Sequence, residues 1–548
     1  MLLSYIKIAL RNLRRNRLIA FINIFGLGLS MSIGLMELVI IQDNLSYDTF
    51  HPYPKRTFRI ISDYRQKDGQ RWKFASTPFP LSDALRRDTA NIVETVNVYP
   101  GLNGPATSAG KEINLNAAFT GASFFHVFGF TLANGDPQTA LSQPNGIILS
   151  PATAQKFFGA ANPMGKIISF GKKGQYLVTG VLAPNGKKSH LGFDAYASSL
   201  AVPGLVTAGL LPDLSDNWQE CHAYTYVLTK NEKPFLSLKG QLGSIAAAAN
   251  IRDKKGTLSF AVQTLSDITP SPSDLYNDIG RGTSWDKLWT GILITLLLLI
   301  AACFNYTNLT VARALTRAKE VGVRKINGAR RYQIFLQYIT EACVTTFLSL
   351  AFAWLLFSLI IRYAPFNDGY EIVPSSFRYN GSFFAATLGF TLFTSLLAGI
   401  APAWILSAFR PLRVLKNLTT AKLFGSVGLQ KTLIVFQYSL SLVVILFLSA
   451  FYRQFSFMAS ADHGFRRDNV LVVPLNGADK ERTAAALSAV SGVRSVSGLS
   501  INFTPRFEGA RGTAYIDNNQ KWSIHLNYIF TDRSFIPAMN IHLLAGTN

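Results

Sequence analysis

Two long apolar runs, Leu288–Leu309 and Ile339–Ile361, constrain this chain more than any other feature. Each is long enough to cross a bilayer as a helix, which takes about 20 residues. The short connection between them carries Arg313, Arg317, Lys319, Arg324, Lys325, Arg330 and Arg331. That many cations between two spans predict a loop on the cytoplasmic side. Within it, Val311–Ile326 reads as a helix, with Glu320 and Arg324 spaced i,i+4 as an ion pair. Asn327-Gly328 reads as its stop, because both residues tolerate the left-handed backbone that closes a last turn. A second helix then runs into the next span. The expectation is a short helix outside the bilayer, held at both ends by membrane helices and able to pass a push to them.

Three further runs give five predicted transmembrane helices. In chain order the segments are a basic amphipathic helix at 1–17 and spans at 18–42, 287–310, 339–361, 383–407 and 432–454. Between them lie the 311–338 loop, a cytoplasmic linker at 408–431 and extracytoplasmic regions at 43–286 and 455–548. In the first helix Leu3, Ile6, Leu10 and Leu13 share one face and Lys7, Arg11, Arg14, Arg15 and Arg17 supply charge, the pattern of a helix lying on a membrane surface. The first span is too long for a signal peptide and lacks a small-residue cleavage site, so it reads as an uncleaved anchor. Gly26, Ser30 and Gly34 recur every four residues, as do Ser395, Gly399 and Ala403 in the fourth span. Such small-residue stripes suit close helix packing. Glu37 reads as an interfacial carboxylate near the outer end of its span, and Pro402 as the site of a kink.

The region 43–286 is mainly polar, with short alternating stretches such as Tyr176–Val181 and Ala223–Leu228 between Gly, Pro and Asn turns. This predicts an α+β extracytoplasmic domain. His126 and His190 read as structural or solvated residues, and Cys221, Cys303 and Cys343 show no pairing or metal spacing. The net charge of +22 raises the question of nucleic acid, but the cations cluster beside apolar spans and fit anionic lipid instead. No nucleic-acid motif is present.

The ordered set Asn305, Asn308-Leu309, Arg317, Lys319-Glu320-x-Gly322-x-Arg324-Lys325, Gly328-Ala329, Gln337 and Glu341 resembles the signature of FtsX-like/MacB-like permeases of ABC transporters. Leu45-Ser46-Tyr47-Asp48-x-Phe50-His51 followed by Arg56-x-Phe58-Arg59 resembles the start of the periplasmic core domain in Bacteroidetes-type members, with Asn44 standing where an acidic residue is expected. The resemblance implies an FtsX-like permease domain at 287–415 and a MacB-like periplasmic core domain at 43–286. It implies that Arg317, Lys319, Glu320, Gly322, Arg324, Lys325, Gly328 and Ala329 form the loop that docks on a separate cytoplasmic ATPase subunit. The implied setting is the bacterial inner membrane, multi-pass, with a cytoplasmic N-terminus, lipid contact, and room for a periplasmic adaptor or outer-membrane partner.

Thr120–Asp136 aligns without gaps on Thr531–Thr547, with Ser123/Ser534, Phe124/Phe535, Leu132/Leu543 and Gly135/Gly546 among the identities. This predicts a duplicated unit whose second outer domain, 455–548, is incomplete. No phosphate-binding loop, nucleophile elbow or zinc helix occurs in the sequence. The expectation is therefore a non-enzymatic permease without catalytic, cofactor or metal residues, serving export or, alternatively, regulating a periplasmic or cell-wall partner without transport.

Overall fold

The computed structural model describes residues 2–547 except 67–68, 88–90, 185, 233–234, 253–255, 281, 314–320, 364–376, 378, 409–426, 476–477, 501–508 and 518–519. Among the described residues, five helices are long and apolar enough to cross a membrane. They run over Arg17–Leu45, Trp285–Ala312, Arg331–Tyr363, Gly381–Ser407 and Val427–Ser460, here spans 1 to 5. The amphipathic helix Leu2–Arg15 precedes them; it leaves Leu3 and Leu10 exposed and buries Ala9. By compactness the chain forms two units, one of residues 1–101, 117–166 and 176–447, the other of 102–116, 167–175 and 448–548.

In the first unit, spans 1 to 4 share a core that includes Leu27, Met31 and Leu35 of span 1, Leu299 and Cys303 of span 2, Phe357 of span 3 and Phe383 of span 4. Lipid supplies no hydrophobic drive between helices, so close packing decides which faces meet. Gly26 lies against Asn305, and Ser30 Oγ donates to Leu298 O at 3.4 Å, both on span 2. Gly34 faces the Phe390 ring of span 4, and Gly399 of span 4 faces Ala342 and Ile339 of span 3. The first stripe thus serves two neighbours rather than one. Ser395 meets Thr346 hydroxyl to hydroxyl across spans 3 and 4. Most other hydroxyls there bond within their own helix: Thr345 to Glu341 O, Ser349 to Thr345 O, Thr391 to Thr387 O and Thr394 to Phe390 O, all at 2.7–2.9 Å. Span 4 is one continuous helix through Pro402. Glu37 is half-buried, with its carboxylate beside Gly291 of span 2 rather than turned only to water.

The outer part of this unit is α+β. Its first sheet sets strand Thr57–Gln66 between Gly256–Thr264 and Cys221–Thr229, with Ile92–Val98 on the far side of the last, all antiparallel. Helix Phe235–Arg252 covers it through Leu238 and Leu242 against Phe58, Ile60 and Val227. A second sheet mixes directions: Gly146–Leu149 runs parallel to Gln175–Leu182 and antiparallel to Ala195–Ser198. An aromatic core with Phe124, Phe128, Tyr196 and Tyr226 fills the domain. Arg59, fully buried, donates to Gln263 Oε1 at 2.8 and 3.0 Å and to Asp278 Oδ1 at 2.5 Å.

The second unit holds the hairpin Gly104–Ser108/Lys111–Leu115 and, in its later part, helix Lys480–Ser488, hairpin Gly509–Asp517/Gln520–Tyr528 and helix Phe535–Ala538. The two aligned windows have the same local order. Tyr99 pairs antiparallel with Phe119 around one hairpin, and Leu499 with Thr531 around the other. Short helices follow, beginning at Ser123 in one and at Phe535 in the other, after which strand Leu132–Asn134 of the first has no counterpart among the described residues of the second.

The expected single helix over Val311–Ile326 differs from what is found. Span 2 ends at Ala312, residues 314–320 lie outside the described residues, and a short helix occupies 321–326. The expected Glu320–Arg324 ion pair falls on that gap. The helix of span 3 begins at Arg331, so the end of the predicted loop is already part of it.

Candidate functional site

Two joints connect the spans to what lies beyond them. The outer one begins where span 1 leaves its helix at Leu45. Asp43, buried, is ion-paired with Lys188. Asn44 donates from Nδ2 to Ile40 O at 2.8 Å and accepts Thr283 N–H at Oδ1, 3.0 Å. A carboxylate has no N–H to offer Ile40, which gives the amide at this position a physical reason. Thr283 leads into span 2, where Trp285 N donates to Ser271 O at 2.9 Å. The end of span 1 and the start of span 2 are thereby tied to each other and to one domain.

Asp48 turns the chain with φ +56°, a left-handed conformation that Asp tolerates better than most residues. Its amide donates to Lys188 O at 2.9 Å. Its carboxylate is the centre of a buried cluster: Oδ1 receives Ser189 Oγ at 2.6 Å and lies 2.9 Å from His51 Nε2, and Oδ2 lies 2.8 Å from His190 Nδ1. The outer nitrogens are also engaged. His51 Nδ1 is 2.7 Å from Phe128 O, a carbonyl left free at the end of helix Ser123–Phe128, and His190 Nε2 is 2.8 Å from the Tyr226 hydroxyl. Burial pushes the Asp48 carboxyl up. The nearby His190 charge and the bonds from His190, His51 and Ser189 outweigh this and hold it well below the usual range. Burial raises the Tyr226 hydroxyl far above its ordinary value, so it stays neutral. Among the described residues, Asp48, His51 and His190 are the group whose geometry could hold a metal ion.

The inner joint is built differently. Val321, 3% exposed, packs with Ile334 and Tyr338 of span 3 and Ala403 and Leu406 of span 4. Gly322 is buried beside it. Arg324 donates to Gln337 Oε1 on span 3, and Lys325 Nζ donates to Ser407 O at 2.7 Å. Ser407 is the last residue of span 4, where unpaired carbonyls and the helix dipole favour a cation. Burial, and then the charge of Arg331, hold the Lys325 ammonium below its ordinary range. The short helix stops at Gly328, φ +88°, and Ala329 N closes the turn on Arg324 O at 3.0 Å. Arg330 N then donates to Gln333 Oε1 at 2.9 Å at the entry to span 3. Val323 and Ile326, 52% and 58% exposed, face away from the spans.

Of the residues expected to form the docking loop, Gly322, Arg324, Lys325, Gly328 and Ala329 are brought together here, while Arg317, Lys319 and Glu320 lie outside the described residues. Arg324 and Lys325 are occupied within the chain, so they position the segment. Two features escaped the sequence: the apolar pair Val323 and Ile326, and the Asp48/His51/His190 cluster. The i,i+3 spacing of Asp48 and His51 was a visible signal for the cluster; nothing in the spacing pointed to His190.

A multi-pass membrane protein with an α+β outer domain joined to spans 1 and 2 is the class that this geometry defines. Residues 20–242 match the MacB-like periplasmic core domain family and residues 292–411 the FtsX-like permease C-terminal family. The chain thus carries a MacB-like periplasmic core domain and an FtsX-like permease C-terminal domain. It is similar to the macrolide export ATP-binding/permease protein MacB of Mannheimia succiniciproducens, 24% identical over 329 residues, covering 56% of this chain and 45% of that protein. It is also similar to a probable syringafactin export ATP-binding/permease protein of Pseudomonas syringae, 24% identical over 238 residues, covering 42% of this chain and 32% of that protein. The chain thus spans less than half the length of these relatives. A solved permease domain from Porphyromonas gingivalis is 14% identical with a TM-score of 0.34, covering 44% of this chain and 98% of that domain.

Proposed function

We propose that the chain is the permease subunit of an ABC exporter, and that it couples an ATPase on another polypeptide to its outer domain by mechanical transmission. In this reading the N-terminus and the 311–338 loop are cytoplasmic, and 43–286 lies outside. The observation that carries it is the pair of joints on one helix set. The segment 321–326 is plugged into spans 3 and 4 by Val321 and presents Val323 and Ile326 outward, while spans 1 and 2 are tied to the outer domain through Asn44, Thr283 and Ser271. A partner that seats on the exposed apolar pair moves spans 3 and 4, and these pack on span 1. The relatives named for export of a macrolide and of syringafactin support export over regulation alone.

The test uses the full chain in proteoliposomes with its ATPase partner. Gly328→Val strains the left-handed stop by about 1–2 kcal/mol and re-aims the short helix without touching a span. It is expected to insert normally and to lose stimulation of the ATPase. Unchanged stimulation would reduce the loop to a basic anchor. Orientation is checked by placing cysteines at the exposed Ser266 and Asn327 in a background lacking Cys221, Cys303 and Cys343. Labelling from the same side of intact cells would overturn the topology.

A further inference from the structure

We infer that Asp48, His51 and His190 form a binding site for a divalent transition-metal ion, with zinc as the best fit, at the joint between span 1 and the outer domain. All three residues are buried, and one donor atom from each lies within 4.8 Å of the others. The argument begins at the outer nitrogens. Phe128 O can only accept, so His51 Nδ1 carries the hydrogen. In a neutral ring this leaves the Nε2 lone pair aimed at the Asp48 carboxylate. The Tyr226 hydroxyl can accept from His190 Nε2 as well as donate to it; where it accepts and the ring is neutral, the Nδ1 lone pair is turned on Asp48 Oδ2. Two imidazole lone pairs and a carboxylate then converge on one buried point, an arrangement that calls for a cation. Imidazoles held from behind by a carbonyl or hydroxyl are also the usual support of metal-bound histidines.

The donor set favours zinc. Two neutral imidazoles and one carboxylate make the three-protein-ligand set of zinc sites, with the fourth position left to a hydroxyl or water. Ser189 Oγ stands beside that position, 2.6 Å from Asp48 Oδ1 and 3.5 Å from His51 Nε2. Zinc bonds of about 2.0–2.2 Å separate neighbouring tetrahedral donors by about 3.3 Å. His51 Nε2 is 2.9 Å from Asp48 Oδ1 and His190 Nδ1 is 2.8 Å from Oδ2, so each imidazole draws back from the carboxylate by about 0.5 Å to admit the ion. The neighbouring cation does not oppose entry, because Lys188 is paired with Asp43. Such an ion joins residues just beyond span 1 to the Ser189-His190 segment of the outer domain, and so fastens the joint through which force must pass. The rival arrangement of the same atoms is purely hydrogen-bonded: a doubly protonated His51 ion-paired with Asp48 and a His190 that donates from Nδ1 to Asp48 Oδ2, which leaves no place for a metal.

The experiment uses the full chain in detergent, stripped with EDTA and titrated with Zn2+ by calorimetry, with bound metal measured by elemental analysis. One zinc per chain is expected. Co2+ in its place is expected to give the visible ligand-field absorption of a low-coordinate nitrogen and oxygen site. His190→Ala should weaken binding at least about 100-fold, and His190→Cys should keep it, because a thiolate is also a zinc ligand. His126→Ala and His222→Ala, at exposed histidines, should change nothing. The absence of saturable binding in the parent chain overturns the site and favours the ion pair. Binding that survives both His51→Gln and His190→Ala overturns it as well. The parent measurement depends on no variant folding, and it is independent of whether the chain exports anything.

Discussion

The two joints of this permease do the same topological job with opposite materials. The outer joint is buried and polar: Asp43, Asn44, Asp48, His51 and His190 are each less than 9% exposed and are bonded on more than one side or ion-paired. The inner joint rests on one buried valine, two cations on span residues, and an apolar pair left open. A buried polar network loses much when any member is removed, because its partners are left unpaired in a dry setting. A shallow apolar plug loses roughly the methyl groups removed. The contrast teaches that the outer joint is held by a buried polar network, while the inner one leaves apolar surface open beside a shallow plug.

The contrast can be broken by substitution, starting with the largest effect. Asp48→Ala removes the buried carboxylate around which His51, Ser189 and His190 are arranged, and is expected to cost about 3–5 kcal/mol, read as a lowered thermal midpoint of the purified chain. A loss no greater than that of an inner-joint variant would remove the distinction. Asn44→Asp keeps the acceptor for Thr283 N–H but deletes the donor to Ile40 O and buries a charge. It should cost about 1–3 kcal/mol, and proteolysis should show the outer domain released before the spans. Val321→Ala removes two methyl groups from the inner plug and should cost about 1.5 kcal/mol while cutting ATPase stimulation strongly. Val323→Ser with Ile326→Ser should shift the midpoint by less than about 0.5 kcal/mol and yet abolish capture of the ATPase. A large stability loss there would mean that these side chains support the fold rather than meet a partner.

The five spans were legible because a bilayer imposes length and hydropathy on any segment that crosses it, and the strand over Gln175–Leu182 because a half-buried sheet imposes alternation; Cys221–Thr229 is buried throughout from Ala223 onward and shows in its aromatic and β-branched content instead. The joints were legible only in part. Gly328 announced its positive φ through the Asn-Gly pair, but the partners of Arg324 did not follow from helical spacing, since Gln337 lies across a turn on the next helix. His190 read as a structural or solvated loop histidine; it is buried because the fold brings it against Asp48 and Tyr226, contacts distant in sequence. Asn44 read as a departure from the family pattern, and only the geometry shows that both ends of its amide are used.

The hydroxyls on spans 3 and 4 have a mechanical consequence. Thr345, Ser349, Thr391 and Thr394 each give their hydrogen to a carbonyl one turn back on the same helix. Their hydrogen bonds therefore travel with the helix that carries them. When one helix slides along the other, these bonds survive and these four hydroxyls present no bare donor to hydrocarbon, so the contact resisting motion is chiefly van der Waals. The cross-link between Thr346 and Ser395 is a single notch on an otherwise smooth track. Were the helices to move along one another as the proposed function requires, the interface would act as a low-friction bearing with one detent among the described residues, enough to define a resting position.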